Sequence, residues 1–170
     1  MANGTSYRVL VLDDDPVHLE VMRVALSVDF QVEAFRSPTQ ALQRLRTSEL
    51  EVICARQKLP GTTGLELYEK ARALPHPPAC VVITAPGDAP IDVSANEMLS
   101  VLELPLEPAR LVRLVENLSR LALIQRNLAG LVRPASRGVA AYRPPPRAPE
   151  PDDALPAARP GATTDPNRKG

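Results

Sequence analysis

Three aspartates in succession, Asp13, Asp14 and Asp15, follow the apolar run Val9-Leu10-Val11-Leu12. Carboxylates this close repel one another unless something positive holds them. One answer is a divalent metal, since Mg²⁺ takes hard oxygen ligands and commonly uses one or two carboxylates. The other is an acidic turn at a helix start, where aspartate accepts from free amides and faces the positive end of the dipole. Two more side chains with chemical potential end apolar runs, the cation Arg56 and the hydroxyl of Thr84. His18, His76, Ser94 and Ser100 form no nucleophile–base constellation. His18 is expected on an exposed helix face and His76 in a proline-rich loop. Gly61-Thr62-Thr63-Gly64 lacks the lysine of a phosphate loop and reads as the turn before a helix. Cys54 and Cys80 sit inside apolar runs as small buried hydrophobes, and two cysteines make neither a disulfide framework nor a zinc site.

These residues are positioned by an alternating pattern. Short β-branched and aliphatic runs at Arg8–Leu12, Gln31–Phe35, Glu51–Ala55, Cys80–Thr84 and Ser100–Leu104 have strand length. Between them apolar residues recur at three and four residues: Val17, Val21, Val24, Ala25 and Val28, then Ala41, Leu42 and Leu45, then Leu65, Leu67, Tyr68 and Ala71. Pro16, Ser37-Pro38 and Glu107-Pro108 mark helix starts. Five strands alternating with five helices predict an α/β fold with a parallel sheet covered on both faces. In such folds the site lies at the carboxyl ends of the strands, which gathers Asp13-Asp14-Asp15, Arg56, Thr84-Ala85 and Leu104-Pro105. Pro86, Gly87 and Pro90 crowd the stretch before the last strand, so a short or distorted fourth helix is expected there. The last helix runs from Pro108 to near Ala129, about 33 Å. Its apolar positions 111, 115, 118, 122 and 125 approach a heptad seam broken by Gln125, so a dimerising or linker helix is one expectation and a frayed end the other.

The chain has 170 residues, 44% hydrophobic and only 3% aromatic, so the core is aliphatic. Lys+Arg and Asp+Glu are both 20. With no net field, nothing draws the chain toward nucleic acid or an anionic membrane. No apolar run approaches a membrane span, and the first residues lack a secretory pattern, so a cytoplasmic protein is expected. Many of the 19 prolines fall beyond Arg133, in a stretch too poor in large apolar residues to offset the entropy of ordering. The expected organisation is a flexible N-terminus at 1–6, a domain at 7–122, an extension of the last helix at 123–132 and a disordered Pro-rich tail at 133–170. Within that tail Arg143-Pro144-Pro145-Pro146-Arg147 could dock to an aromatic groove, but a solubilising tail is the plainer reading.

VLVLDDDPVHLEVMRVAL resembles the opening of a response-regulator receiver domain. EVICARQKLPGTTGLELYEKAR is similar to that family's third strand, active-site loop and third helix. CVVITAP is similar to its fourth strand, and VLELPLEPARLVRLV to its fifth strand and last helix. The likeness covers about residues 7–122. It implies a doubly wound, flavodoxin-like, five-stranded parallel sheet of order 2-1-3-4-5. The chemistry it implies is phosphoryl transfer from a histidine kinase to an aspartate, with Mg²⁺ held by an acid pair. By motif, Asp13 and Asp14 match the acid pair and Thr84 the switch hydroxyl. The acceptor, four residues before the loop proline Pro60, falls on Arg56. The lysine before the proline after the fifth strand falls on Leu104, and the aromatic of that strand on Val101.

An arginine cannot form an acyl phosphate, and its charge opposes a metal where a carboxylate should ligate it. The resemblance with these departures therefore implies a pseudo-receiver, not an enzyme, in a two-component pathway. It would be phosphorylation-independent and act by contact with a signalling protein, a histidine kinase or downstream effector. A homodimer through the last helix is a further expectation. Arg56 is expected beside Asp13 or Asp14 in the metal's place. No cofactor is expected, with Mg²⁺ only if the acid pair still binds it. Two alternatives stay open: a phosphorelay receiver using Asp14 or Asp15 as acceptor, and a small nucleotide-binding α/β enzyme, for which DDDPVH lacks the Gly-rich loop.

Overall fold

A computed structural model describes residues 6–131. The segments 1–5 and 132–170, with the expectations placed on the N-terminus and the Pro-rich tail, lie outside the described residues. Five parallel strands form the main sheet: β1 (Arg8–Leu12), β2 (Gln31–Phe35), β3 (Val52–Arg56), β6 (Ala79–Thr84) and β7 (Leu99–Glu103), in the order β2-β1-β3-β6-β7. This is the doubly wound order expected. A separate two-stranded hairpin, β4 (Lys58–Leu59) and β5 (Thr62–Thr63), interrupts the loop after β3.

Side chains of a strand alternate between faces, and the core divides accordingly. Val9, Val11, Cys54, Val81 and Ile83 meet α1 (Pro16–Leu26) and α4 (Pro108–Leu131) on one face. Leu10, Leu12, Ile53, Ala55, Cys80 and Val82 meet α2 (Pro38–Thr47) and α3 (Gly64–Arg72) on the other. Cys54 and Cys80 thus point to opposite faces, and burial pushes both thiols up, away from reactivity.

Three departures from the sequence reading have physical causes. First, the expected fourth helix does not form: residues 85–98 run without helix between β6 and β7. Gly87 has φ 88°, and Pro86 and Pro90 break the helical hydrogen-bond ladder. Turns replace it, with Asn96 accepting from the Met98 amide at 3.0 Å and donating to the Tyr68 hydroxyl at 3.1 Å.

Second, the valine period on α1 faces solvent. Val17, Val21 and Val24 are 67%, 39% and 55% exposed, and Val28, in the turn just past the helix, is 82% exposed, whereas Leu19, Met22 and Leu26 are buried. Both sets fit helical spacing. The short connection decides between them: Asp15 caps the helix three residues after β1, and the rotation this imposes turns Leu19 to the sheet.

Third, the seam on the last helix belongs to the core. Leu111, Val115, Leu118 and Ala122 pack on the sheet, which leaves them unavailable as a free dimer seam. The continuation of α4 is held rather than simply projecting, because Arg126 pairs with Glu51 at 3.1 Å and Glu49 at 3.5 Å near the start of β3.

Candidate functional site

The carboxyl ends of β1, β3 and β6 bring Asp13, Arg56 and Thr84 together. Register sets Leu12 beside Ala55 and Arg56 beside Ile83, so the residues that follow or end these strands share one rim of the sheet. Parallel strands leave their last carbonyls and the connecting loops at this rim, where side chains can converge.

Asp13 is 1% exposed. Its Oδ1 accepts from the Asp15 amide at 2.9 Å, and its Oδ2 takes no hydrogen bond. Arg56 Nη1 and His18 Nδ1 each lie 3.7 Å from that Oδ2. Burial pushes the Asp13 carboxyl above its ordinary range; the Asp15 amide and Arg56 pull it down less strongly, and Asp14 pushes it up a little. Desolvation therefore outweighs the cation's attraction, as expected when an ion pair lacks direct hydrogen bonds.

The best polar contact of Arg56 is with His18, Nη1 to Nδ1 at 2.8 Å. A guanidinium only donates, so this contact requires Nδ1 to accept and places the ring proton on Nε2. His18 is half-buried and belongs to the site, contrary to its expected place on an exposed face. The sequence placed His18 in the first turn of the helix that starts at this rim. Helical spacing alone could not say that the ring turns toward β3.

Asp14 and Asp15 take different roles. Asp14 is exposed, and among the described residues its carboxylate makes no hydrogen bond or ion pair; only its carbonyl accepts, from Arg36. Arg56 is thus beside Asp13 alone and does not bridge an Asp13–Asp14 pair. Asp15 caps α1, accepting from the amides of Val17 at 2.8 Å and His18 at 3.4 Å, which holds its carboxyl below the ordinary range.

The arrangement does not suit Mg²⁺. The buried oxygen that would ligate it faces a guanidinium at 3.7 Å, and the end of β3 supplies a cation instead of a carboxylate ligand.

Around Arg56 the backbone is tightly packed. A Cβ on Gly64 would stand 2.6 Å from the Arg56 carbonyl oxygen, so only glycine admits α3 this close. The Gly64 amide donates to the Gln57 carbonyl at 3.0 Å. Thr63 and Glu66 close a reciprocal cap on α3, which accounts for the Gly61–Gly64 stretch as structure.

Thr84 is buried at 7% exposure, and its carbonyl accepts from the Leu104 amide at 2.8 Å. Leu104 packs against the core and Val101 is half-buried in β7, so neither offers a polar group to the rim.

A cluster the sequence reading missed lies next to Thr84. The Asp88 side chain is only 3% exposed, with Oδ1 2.7 Å from Lys58 Nζ and Oδ2 accepting from the Ala85 amide at 2.7 Å. Lys58, the Ala85 amide and, more weakly, Arg56 hold its carboxyl below the ordinary range. An anion therefore already sits among the positive groups of the rim, supplied by the chain itself. No spacing rule links Lys58 to Asp88; the irregular 85–98 segment brings them together.

The model of the response regulator receiver domain matches residues 9–116. The chain is 30% identical over 137 residues to the C4-dicarboxylate transport transcriptional regulatory protein DctD of Rhizobium meliloti, covering 77% of this chain and 30% of that protein. It is 29% identical over 121 residues to the transcriptional regulatory protein FixJ of Bradyrhizobium diazoefficiens, covering 69% and 59% respectively. It thus spans less than two thirds of either relative. Among solved structures, the response regulator StyR aligns with TM-score 0.66 at 29% identity, over 75% of this chain and 66% of that one. A putative response regulator from Chloroflexus aurantiacus aligns with TM-score 0.60 at 26% identity, over 68% and 99%. The family is a signalling module, and no described helix is long and apolar enough to cross a membrane. With its sheet order, its strand-end site and a match that spans the domain, this chain belongs to the response regulator receiver domain family.

Proposed function

We propose that this receiver works without phosphorylation and signals through protein–protein contacts with a histidine kinase or a downstream effector. The observation that carries the reading is Arg56. At the end of β3, in the position the family motif gives to the acceptor, a guanidinium lies against the buried Asp13 and His18. It is no nucleophile for a phosphoryl group, and it opposes the metal such transfer needs. Two further features agree. Leu104 offers no ammonium to a phosphate, and Asp88 supplies a carboxylate to Lys58 and the Ala85 amide.

The second reading keeps phosphorelay through another aspartate. Its support is the carboxylate of Asp14, which is exposed and, among the described residues, unpaired; Asp15 is a weaker candidate because its oxygen is occupied in capping α1. The test is NMR of the full chain titrated with Mg²⁺ and beryllofluoride, alongside acetyl-phosphate labelling. The expected result is no label and no saturable shift at Asp14 or Thr84. Label that vanishes in Asp14→Asn would overturn the proposal in favour of the second reading.

A further inference from the structure

We propose that the Asp88 carboxylate is a built-in plug. It fills an oxyanion seat made by the Ala85 amide, Lys58 and Arg56, and so closes that seat to phosphate-type anions from solution. Lys58 and Asp88 fall outside every position that the motifs assign, yet their side chains meet at the rim, Nζ to Oδ1 at 2.7 Å.

The sequence builds the plug locally. Ala85-Pro86-Gly87-Asp88 has proline second and glycine third, the order of a type II turn. Gly87 has the positive φ such a turn requires, and the Asp88 amide closes it by donating to the Ala85 carbonyl at 3.0 Å. The turn reverses the chain directly after β6 and returns Asp88 to the strand end it has just left. There Oδ2 accepts from the Ala85 amide at 2.7 Å. Pro86 restricts the backbone in advance, so seating the carboxylate needs little further ordering. A turn-closing aspartate needs no cation, however. The ion pair with Lys58, which comes from the hairpin after β3, and the weaker pull of Arg56 are what make the position an anion seat.

The plug leaves part of the seat unused. Arg56 stands beside Ile83 in the sheet register, one residue before Thr84. Its Nε is buried and donates to nothing among the described residues. A carboxylate has only two oxygens, and here one meets the Ala85 amide and the other Lys58. A phosphate brings more acceptor oxygens and more charge, which is the chemistry these donors suit. The plug is also releasable. Asp88 is covered, with 3% of its side chain exposed, but Lys58 is 76% exposed, and the neighbours Pro86, Gly87, Ala89 and Pro90 all face solvent. Displacing the carboxylate therefore moves a surface turn and not the core. Until it moves, a tethered carboxylate competes at an effective concentration of about millimolar or above, which free phosphate must exceed.

The test is a titration of the full chain with sodium phosphate, following the Ala85 amide by NMR, with sodium chloride at matched ionic strength as control and circular dichroism to check folding. The unmodified chain is expected to show no saturable shift across the millimolar range. Asp88→Ala is expected to bind phosphate with a dissociation constant at least about 10-fold lower, and adding Lys58→Ala to it is expected to abolish that gain. Asp88→Asn keeps the shape and an oxygen for the amide; it carries the same prediction, with a smaller gain, should Asp88→Ala not fold. A folded Asp88 variant with no gain in phosphate affinity overturns the inference. So does a gain that survives loss of Lys58, or an unmodified chain that binds as tightly as Asp88→Ala. The outcome is separable from the proposed function, because covalent label lost in Asp14→Asn would overturn that function and leave this competition unchanged.

Discussion

Removing the Arg56 guanidinium should destabilise the fold in a way that depends on pH and on Asp13. At the 3.7 Å separating Arg56 Nη1 from Asp13 Oδ2, two unit charges attract by about 4.5 kcal/mol at an effective dielectric near 20. Arg56 is 18% exposed and makes no direct hydrogen bond to Asp13 Oδ2, so solvent screening and side-chain relaxation bring the expected coupling to about 1–2 kcal/mol. The sign follows from linkage. Asp13 titrates higher in the folded chain than in the unfolded one. Its contribution to stability is thus full below the ordinary aspartate range and is lost as pH rises through the raised value. Arg56 attracts only the ionised form, so Arg56→Ala should cost most near pH 8 and progressively less on acidification. Asp13→Asn should be close to neutral at pH 8 and should abolish that pH dependence. The assay is a double-mutant cycle by urea unfolding at several pH values, using Arg56→Ala, Asp13→Asn and both together. A coupling under about 0.3 kcal/mol at pH 8, or one that grows as pH falls, would refute the reasoning.

Gly64→Ala should destabilise by about 1–3 kcal/mol, because a Cβ 2.6 Å from the Arg56 carbonyl forces α3 away from β3; denaturant unfolding measures it, and a neutral outcome would mean the helix start can shift freely. Asp88→Asn should lower the hydrogen-exchange protection of the Ala85 amide and loosen 85–98. In the unmodified chain the same loosening should appear on acidification through the depressed Asp88 carboxyl, since that contribution is present above the ordinary aspartate range and lost below it.

Much of the fold was readable because it depends on local signals that agree with one another. The runs at Arg8–Leu12 and Gln31–Phe35 are strands at those bounds, and the others are within a residue or two. Buried parallel strands demand continuous apolar sequence, and Pro16 and Pro38 stand at the helix starts they marked. The site was readable only as a set of places. Strand ends of such a sheet share one rim, so Asp13, Arg56 and Thr84 had to be neighbours; which of them touch was not determined by type or spacing.

The sequence by itself determined the alternation of elements, the rim where polar groups gather, and the presence of an arginine where a carboxylate was expected. Tertiary structure decided the rest. It chose which of two equally periodic stripes on α1 is buried, because the three-residue connection from β1 fixes the helix's rotation. It buried the α4 seam, because that helix must cover the sheet before it can meet anything else. It set Arg56 against Asp13 and His18 but away from Asp14, and it brought Asp88 to Lys58 through a segment with no regular structure. Periodicity reports only one element's own geometry. The rotation of a helix and the path of an irregular loop depend on contacts between residues far apart in the chain, and the packed sheet supplies those contacts.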